Sequence, residues 1–213
     1  IINVIVTGAK DSSGAITDTA LCSRIAGLIA GTPMTISCTY APLPELTDIA
    51  RLSAEDADTA VDAGEFILIH DGEKIKVARG VNSLTTPTQD KGAAFKKIKI
   101  VEAVDMIGHD IRLTCEDSYI GKYANSYDNK CVLIAAIKGY LEGLELAGIL
   151  AAGKSTCEID LAAQENYLKS KGTDTSAMSA QEIKEANTDD QVFLACSVKI
   201  LDAIEDISIN VTI

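Results

Sequence analysis

Gly148-Ile-Leu-Ala-Ala-Gly153-Lys154-Ser155 fits GxxxxGK[ST], the loop whose backbone amides cradle phosphates while its lysine reaches the terminal ones. That chemistry needs a strand leading in and a helix leading out, so that loop amides and helix N-terminus converge on the anion. Here the order is reversed. An apolar helical run, 131–146, leads in, and the strand-like STCEIDL, 155–161, leads out. No strand ends in an Asp placed for Mg²⁺. A helix C-cap at Gly148 and a turn at Gly153 account for the glycines equally well. A P-loop-like nucleotide-binding protein using Gly148–Ser155 therefore stands only as an alternative function.

A Ser/His/Asp triad would have to enlist His70 or His109. His70 precedes an Asp-Gly turn, His109 falls within a helical stretch, and no GxSxG elbow lies beside either. Asp105, Asp110, Glu116 and Asp117 ride one long helix with Lys99 and Arg112 among them, and interleaved opposite charges make a solvated face. The basic cluster Lys96, Lys97 and Lys99 reads the same way. Cysteines stand at 22, 38, 115, 131, 157 and 196, with no CxxC pair and no Cys/His metal spacing. Most fall on apolar faces, the pattern of buried free thiols in a reducing cytoplasm. The expectation is no catalytic residue, no cofactor, no metal ligand and no enzymatic activity.

The elements behind these residues belong to a layered mixed structure. The chain has 213 residues, 47% of them hydrophobic and only 4% aromatic, with no Trp, so Ile, Val, Leu and Ala must build the core. Net charge is −12, spread as −5 over residues 1–92 (7 basic, 12 acidic) and −7 over 93–213 (12 basic, 19 acidic). That balance argues against a nucleic-acid partner or an anionic membrane surface. No apolar run reaches the roughly 18–20 residues of a membrane span, so no direct membrane insertion is expected. The chain opens at Ile1 without Met, directly in the strand-like IINVIVT, which reads as a fragment with material upstream.

Periodicity and caps predict the following order. INVIV, 2–6, is a strand. Residues 17–30 form a helix capped by Thr17 or Asp18. MTISCTY, 34–40, alternates as a strand. Residues 53–64 form a short helix opening at Ser53, with its acids in the first turns. FILIHDGEKIKV, 66–77, is a hairpin around Asp71-Gly72, a type I′ signal. The polar loop 82–92 divides two subdomains. Apolar residues at 95, 98, 101, 104, 107, 111 and 115 then mark a helix to about 118. The second long helix, 131–146, is apolar around much of its circumference and should be largely buried. A strand in 155–161, a helix over 162–171 and a capping box at Ser179/Glu182 follow. Two strands, 191–200 and 206–213, close the chain. The fold class is α/β (mixed α+β). A mixed sheet with flanking helices (1–92) precedes a mainly helical domain with a small β-sheet (93–213).

The last strand carries the most information. Ile207, Ile209, Val211 and Ile213 alternate with Ser208, Asn210 and Thr212. Burying the four apolar side chains is worth roughly 6–12 kcal/mol as an upper bound. An unpaired edge of this kind invites pairing. A hairpin with 191–200 and strand addition to another polypeptide both satisfy it.

Several blocks together resemble contractile phage tail sheath proteins, of the kind found in Gram-positive prophages and phage-like particles: SRIAGLIAGTP (23–33), RGVNSLTT (79–86), FKKIKIVEAVDMIGHDIR (95–112), YIGKYANSYDNK (119–130) and EANTDDQVFLACSVKILDAIEDISINVTI (185–213). The likeness covers nearly the whole chain and places it in the C-terminal portion of such a subunit. It implies part of the middle domain over 1–92 and the C-terminal domain over 93–213. It also implies a non-enzymatic subunit, made in the host cytoplasm and built into a virion tail or phage-like particle, with itself, a tail tube protein and a baseplate as partners. Family members join neighbours by exchanging terminal strands, which would give Ile207, Ile209, Val211 and Ile213 an interface role. Within YIGKYANSYDNK, Gly121, Lys122, Asn125 and Asp128 are expected to order a loop that sets the angle between the long helices. A monomeric binding module whose last strand closes its own sheet is the remaining alternative.

Overall fold

The computed structural model describes residues 1–89 and 91–212. Two compact units divide it: Ile1–Asp105 with the residues from Asp202 onward, and Met106–Leu201. The division falls inside a helix, beyond the polar loop at 82–92 where the sequence suggests a joint. Continuous helix carries the chain across that point, because the apolar spacing from Ile98 never breaks.

The first unit begins with β1 (Asn3–Val4), β2 (Lys10–Asp11) and β3 (Gly14–Ala15). Helix α1 (Asp18–Ala30) follows, its first-turn amide at Ala20 capped by the Thr17 hydroxyl. β4 (Leu46–Asp48) pairs with β2, and α2 (Ala54–Asp62) opens at the Ser53 cap. β5 (Glu65–Phe66) runs parallel to β1. β6 (Leu68–His70) and β7 (Ile75–Val77) form the antiparallel hairpin. The expected mixed sheet is thus three small sheets. Leu21, Ile25 and Ile29 of α1 pack with Phe66, Leu68, Ile75 and Val77 in one core.

The hairpin forms, but not through a type I′ turn. Four residues, 71–74, connect the strands. Gly72 takes a φ of +106°, whereas Asp71 stays out of the positive-φ region. The Asp71 carboxylate instead accepts from the Glu73 and Lys74 amides at 3.0 Å each, and this local capture widens the turn. MTISCTY is not a strand either. Ile36 N–H donates to Pro33 O, Ala41 N–H donates to Cys38 O, and Tyr40 has a φ of +59°, so 34–40 is a pair of turns.

The second unit holds the rest of α3 (Ile98–Ser118), then α4 (Tyr127–Leu146), β8 (Thr156–Ile159), α5 (Leu161–Ser170), α6 (Ala180–Glu185) and β9 (Leu194–Ser197). The Ser179/Glu182 capping box is complete. β8 and β9 pair antiparallel, Thr156 opposite Ser197. Ile107, Ile137, Leu141, Leu150 and Cys157 form the core. Helix α4 begins four residues earlier than expected, at the Ser126 cap, and is not largely buried. Ile137 and Leu141 face the core, while Val132, Ala135, Gly139, Gly143 and Leu146 are exposed. Its small residues raise its apolar content without supplying a buried surface.

Candidate assembly site at the C-terminal arm

Residues 202–212 hold no regular secondary structure, and the expected strand at 207–213 pairs with nothing among the described residues. β9 pairs with β8, and among the described residues no hairpin forms between 191–200 and the segment after 206. Ile207, Ile209 and Val211 are 75%, 78% and 81% exposed, and Ile213 lies outside the described residues.

The root of this arm is fastened. Glu205, its side chain 9% exposed, accepts at Oε1 from Ser37 Oγ (3.0 Å) and Thr39 Oγ1 (2.5 Å). Gly80 N–H donates to Thr39 Oγ1 at 2.9 Å, so backbone orients the second hydroxyl. Lys97 Nζ lies 2.5 Å from Asp202 and 3.1 Å from Glu205, and Arg79 pairs with both Glu205 and Asp206. Burial works against the Glu205 carboxylate, but Thr39, Lys97 and Ser37 outweigh it and hold its pKa below the ordinary value. Burial likewise opposes the Lys97 charge, yet Asp202 and Glu205 hold its pKa up. The turns at 34–41 thus present two hydroxyls, the segment after β7 presents Arg79, and the turn before α3 presents Lys97. Three residues of the arm's root, Asp202, Glu205 and Asp206, are pinned, and the apolar alternation beyond Asp206 is left free.

Local sequence pattern does not reveal this clamp. Lys97 is not on a solvated face, and Lys99 is buried. The available signal was charge complementarity between Arg79 and Lys97 and the acidic run Asp202, Glu205 and Asp206. Separations of 105 and 127 residues hid it.

The loop between α3 and α4 makes hydrogen bonds within its own unit. Gly121 takes a φ of +73°, Lys122 N–H donates to Tyr119 O, and Lys122 Nζ reaches Asp117 O. Asn125 Nδ2 sits among Thr188 Oγ1 (3.1 Å), Asp189 O (2.9 Å) and Gln191 O (2.9 Å). The buried Lys130 donates to Thr188 Oγ1 at 3.0 Å, and burial alone lowers its pKa. Asp128 lies in the first turn of α4 and is exposed. A cleft of about 740 Å³ opens beside the loop, lined by Tyr119, Tyr123, Lys130, Leu133 and Val192 among others. Asn125→Ala is expected to cost about 2 kcal/mol, because it strands partly buried acceptors. Asp128→Ala is expected to cost under about 1 kcal/mol, the scale of a helix-terminus charge. Chemical denaturation of both variants checks the contrast, and equal costs would sink it.

The P-loop lookalike is an anion cradle already filled by the chain itself. Gly148 (φ +74°) ends α4 and Gly153 (φ +66°) makes a turn before β8. The Glu145 carboxylate accepts from the amides of Gly153 (2.7 Å), Lys154 (3.2 Å) and Ser155 (2.9 Å). The Ser155 side chain, then the Gly153, Ser155 and Lys154 amides, draw that carboxyl down to about 2. Millimolar ATP is expected to give no binding heat by titration calorimetry, with or without Lys154→Ala. Saturable heat lost in the variant would restore the nucleotide reading.

Among the described residues no triad is assembled. His70 Nδ1 accepts from the Gly72 amide at 3.0 Å, and His109 Nδ1 lies 3.3 Å from Arg112. Asp110 accepts from Tyr140 OH at 2.7 Å, joining α3 to α4. The cysteines are not mostly buried: Cys38 and Cys157 are, Cys115 is half-buried, and Cys22, Cys131 and Cys196 are exposed. Among the described residues no group of three or more His, Cys, Asp or Glu could hold a metal ion, and no helix is long and apolar enough to cross a membrane.

The family model for the phage tail sheath C-terminal domain matches residues 90–213. The tail sheath protein of Clostridium phage phiCD119 is 44% identical over 209 residues, covering 98% of this chain and 57% of that protein. The chain therefore spans little more than half the length of that curated relative. The sheath tail protein from Desulfitobacterium hafniense superposes with a TM-score of 0.65 at 25% identity, over 75% of this chain and 39% of that one. The helical sheath of the anti-feeding prophage in its contracted state gives 0.68 at 15% identity, over 97% of this chain and 54% of that one, a likeness of fold. With more than half its length matched by the family model and nearly all of it aligned to a sheath protein, the chain belongs to the phage tail sheath family.

Proposed function

We propose that the chain is the inter-subunit locking part of a contractile tail sheath subunit, a non-enzymatic protein that polymerises around an inner tube and contracts to drive it through a cell envelope. One observation carries this reading: an arm whose root is clamped by Glu205 while Ile207, Ile209 and Val211 stand exposed in strand alternation. A strand left open at such apolar positions gains by joining another sheet, where main-chain bonds give affinity and alternate side chains are buried. The β8–β9 sheet of a neighbouring copy is a fitting receiver, since it has only two strands among the described residues.

In this reading the partners are further copies, a tail tube protein and a baseplate. The particle is a virion tail or phage-like particle whose subunits are made in the bacterial cytoplasm. The loop 119–130, held through Asn125, keeps α3 and α4 at a fixed angle. The work of contraction comes from repacking of subunits, so no nucleotide site is needed. Electron microscopy of a subunit extended upstream to the length of its curated relatives tests the assignment. Tubular polymers are expected, and a soluble monomer under all assembly conditions contradicts it.

A further inference from the structure

Cys157 of β8 and Cys196 of β9 are direct partners in the antiparallel register, and their Sγ atoms lie 3.1 Å apart. Opposed residues of such a ladder have Cα separations of about 4.5–5.5 Å, within the roughly 4.4–6.8 Å that a disulfide accepts. Both are free thiols. They differ in access: Cys157 is fully buried in the core with Ile107, Ile137 and Leu141, whereas Cys196 is exposed.

We propose that Cys157 and Cys196 form an oxidative modification site, which a soluble disulfide such as oxidised glutathione converts into an intramolecular cross-strand disulfide. The difference in access sets the order of events. The Cys196 thiolate attacks one sulfur of the oxidant, forming a Cys196–glutathione mixed disulfide and expelling one glutathione thiolate. Cys157 then loses its proton to solvent and attacks the Cys196 sulfur. The Cys157–Cys196 bond forms and the second glutathione thiolate leaves. Two protein thiols give up two electrons, and one oxidised glutathione takes both.

The surroundings make closure the slower step at neutral pH. Burial, Cys196 beside it on β9 and Cys115 on α3 raise the Cys157 pKa, against the opposing charge of Lys138 on α4, to about 12. Closure is therefore expected to speed up in alkaline buffer. The bond would span 39 positions of sequence and restrict the unfolded chain accordingly. It would also fix the β8–β9 register, which matters for receiving a neighbour's arm; that consequence alone rests on the sheath reading.

The test is peptide mapping of the purified chain after incubation with millimolar oxidised glutathione in mildly alkaline buffer. A Cys157–Cys196 cross-linked peptide is expected, absent from both Cys196→Ser and Cys157→Ser, together with a melting temperature several degrees higher. Cys196 is exposed, so its variant folds even if a change at the buried Cys157 does not. A stable glutathione adduct on Cys196 without closure, a Cys115–Cys196 link, or an unmodified pair would each overturn the proposal. The free chain is the sample, so those results leave the sheath assignment standing.

Discussion

Removing residues 207–213 from the sheath subunit is expected to abolish polymerisation and leave the subunit folded. The two halves of that result follow from different facts. Ile207, Ile209 and Val211 are at least three-quarters exposed, so folding draws almost nothing from them. Docked in a neighbour's sheet, each would bury an apolar side chain worth roughly 1.5–3 kcal/mol, with main-chain bonds in addition. In the proposed polymer the contact would recur at every subunit, so its loss would act on the whole assembly. An unchanged melting temperature with no sedimenting polymer is the expected pair of readings. Unfolding of the truncated subunit would mean that the arm closes its own sheet, as in a monomeric binding module.

Glu205→Ala should have the next largest effect. Glu205 holds two hydroxyls and faces Lys97 and Arg79, so its loss leaves both cations short of a partner. Charged hydrogen bonds are worth about 1.5–3 kcal/mol each, discounted here because Lys97 and Arg79 keep partial access to water. A net cost of about 2 kcal/mol at the arm's root makes that segment open about 30-fold more often. Proteolytic cleavage within residues 203–206 should accelerate by that order, while the α1 core stays resistant. Acid should act in the same direction. The Glu205 pKa is lower folded than its ordinary 4.5, so its contribution is full above about pH 4.5 and lost as pH falls through the folded value. Cleavage at the root that is indifferent to both the substitution and acid would show that the clamp holds nothing.

Local features of the fold were legible because their signals are local. Thr17, Ser53 and the Ser179/Glu182 box each mark a helix start by satisfying amides within three residues. The alternation of Ile207, Ile209 and Val211 predicts a strand, but a strand needs a partner, and none pairs with it among the described residues. Where side chains serve distant partners, the pattern misleads. Ser37 and Thr39 alternate with Ile36 and Cys38 as in a strand, yet their hydroxyls are spent on Glu205, 168 and 166 positions away. Lys97 looked solvated because Asp202 lies 105 positions downstream. Helix α4 misled through composition, since Ala and Gly count as apolar but bury little. The GxxxxGK[ST] match did not reveal that the loop amides bind the Glu145 carboxylate, because the motif says nothing of a carboxylate upstream of it.

In the proposed assembly the apolar arm joins a neighbour's sheet. Cryo-electron microscopy of the assembled polymer, at a resolution that traces the chain beyond Asp206, tests it most directly. Residues 207–211 are expected as a strand hydrogen-bonded to a sheet of an adjacent subunit, with Glu205 still held by Ser37, Thr39 and Lys97 of its own. An arm folded back onto its own subunit, or projecting into solvent within an intact sheath, would contradict it.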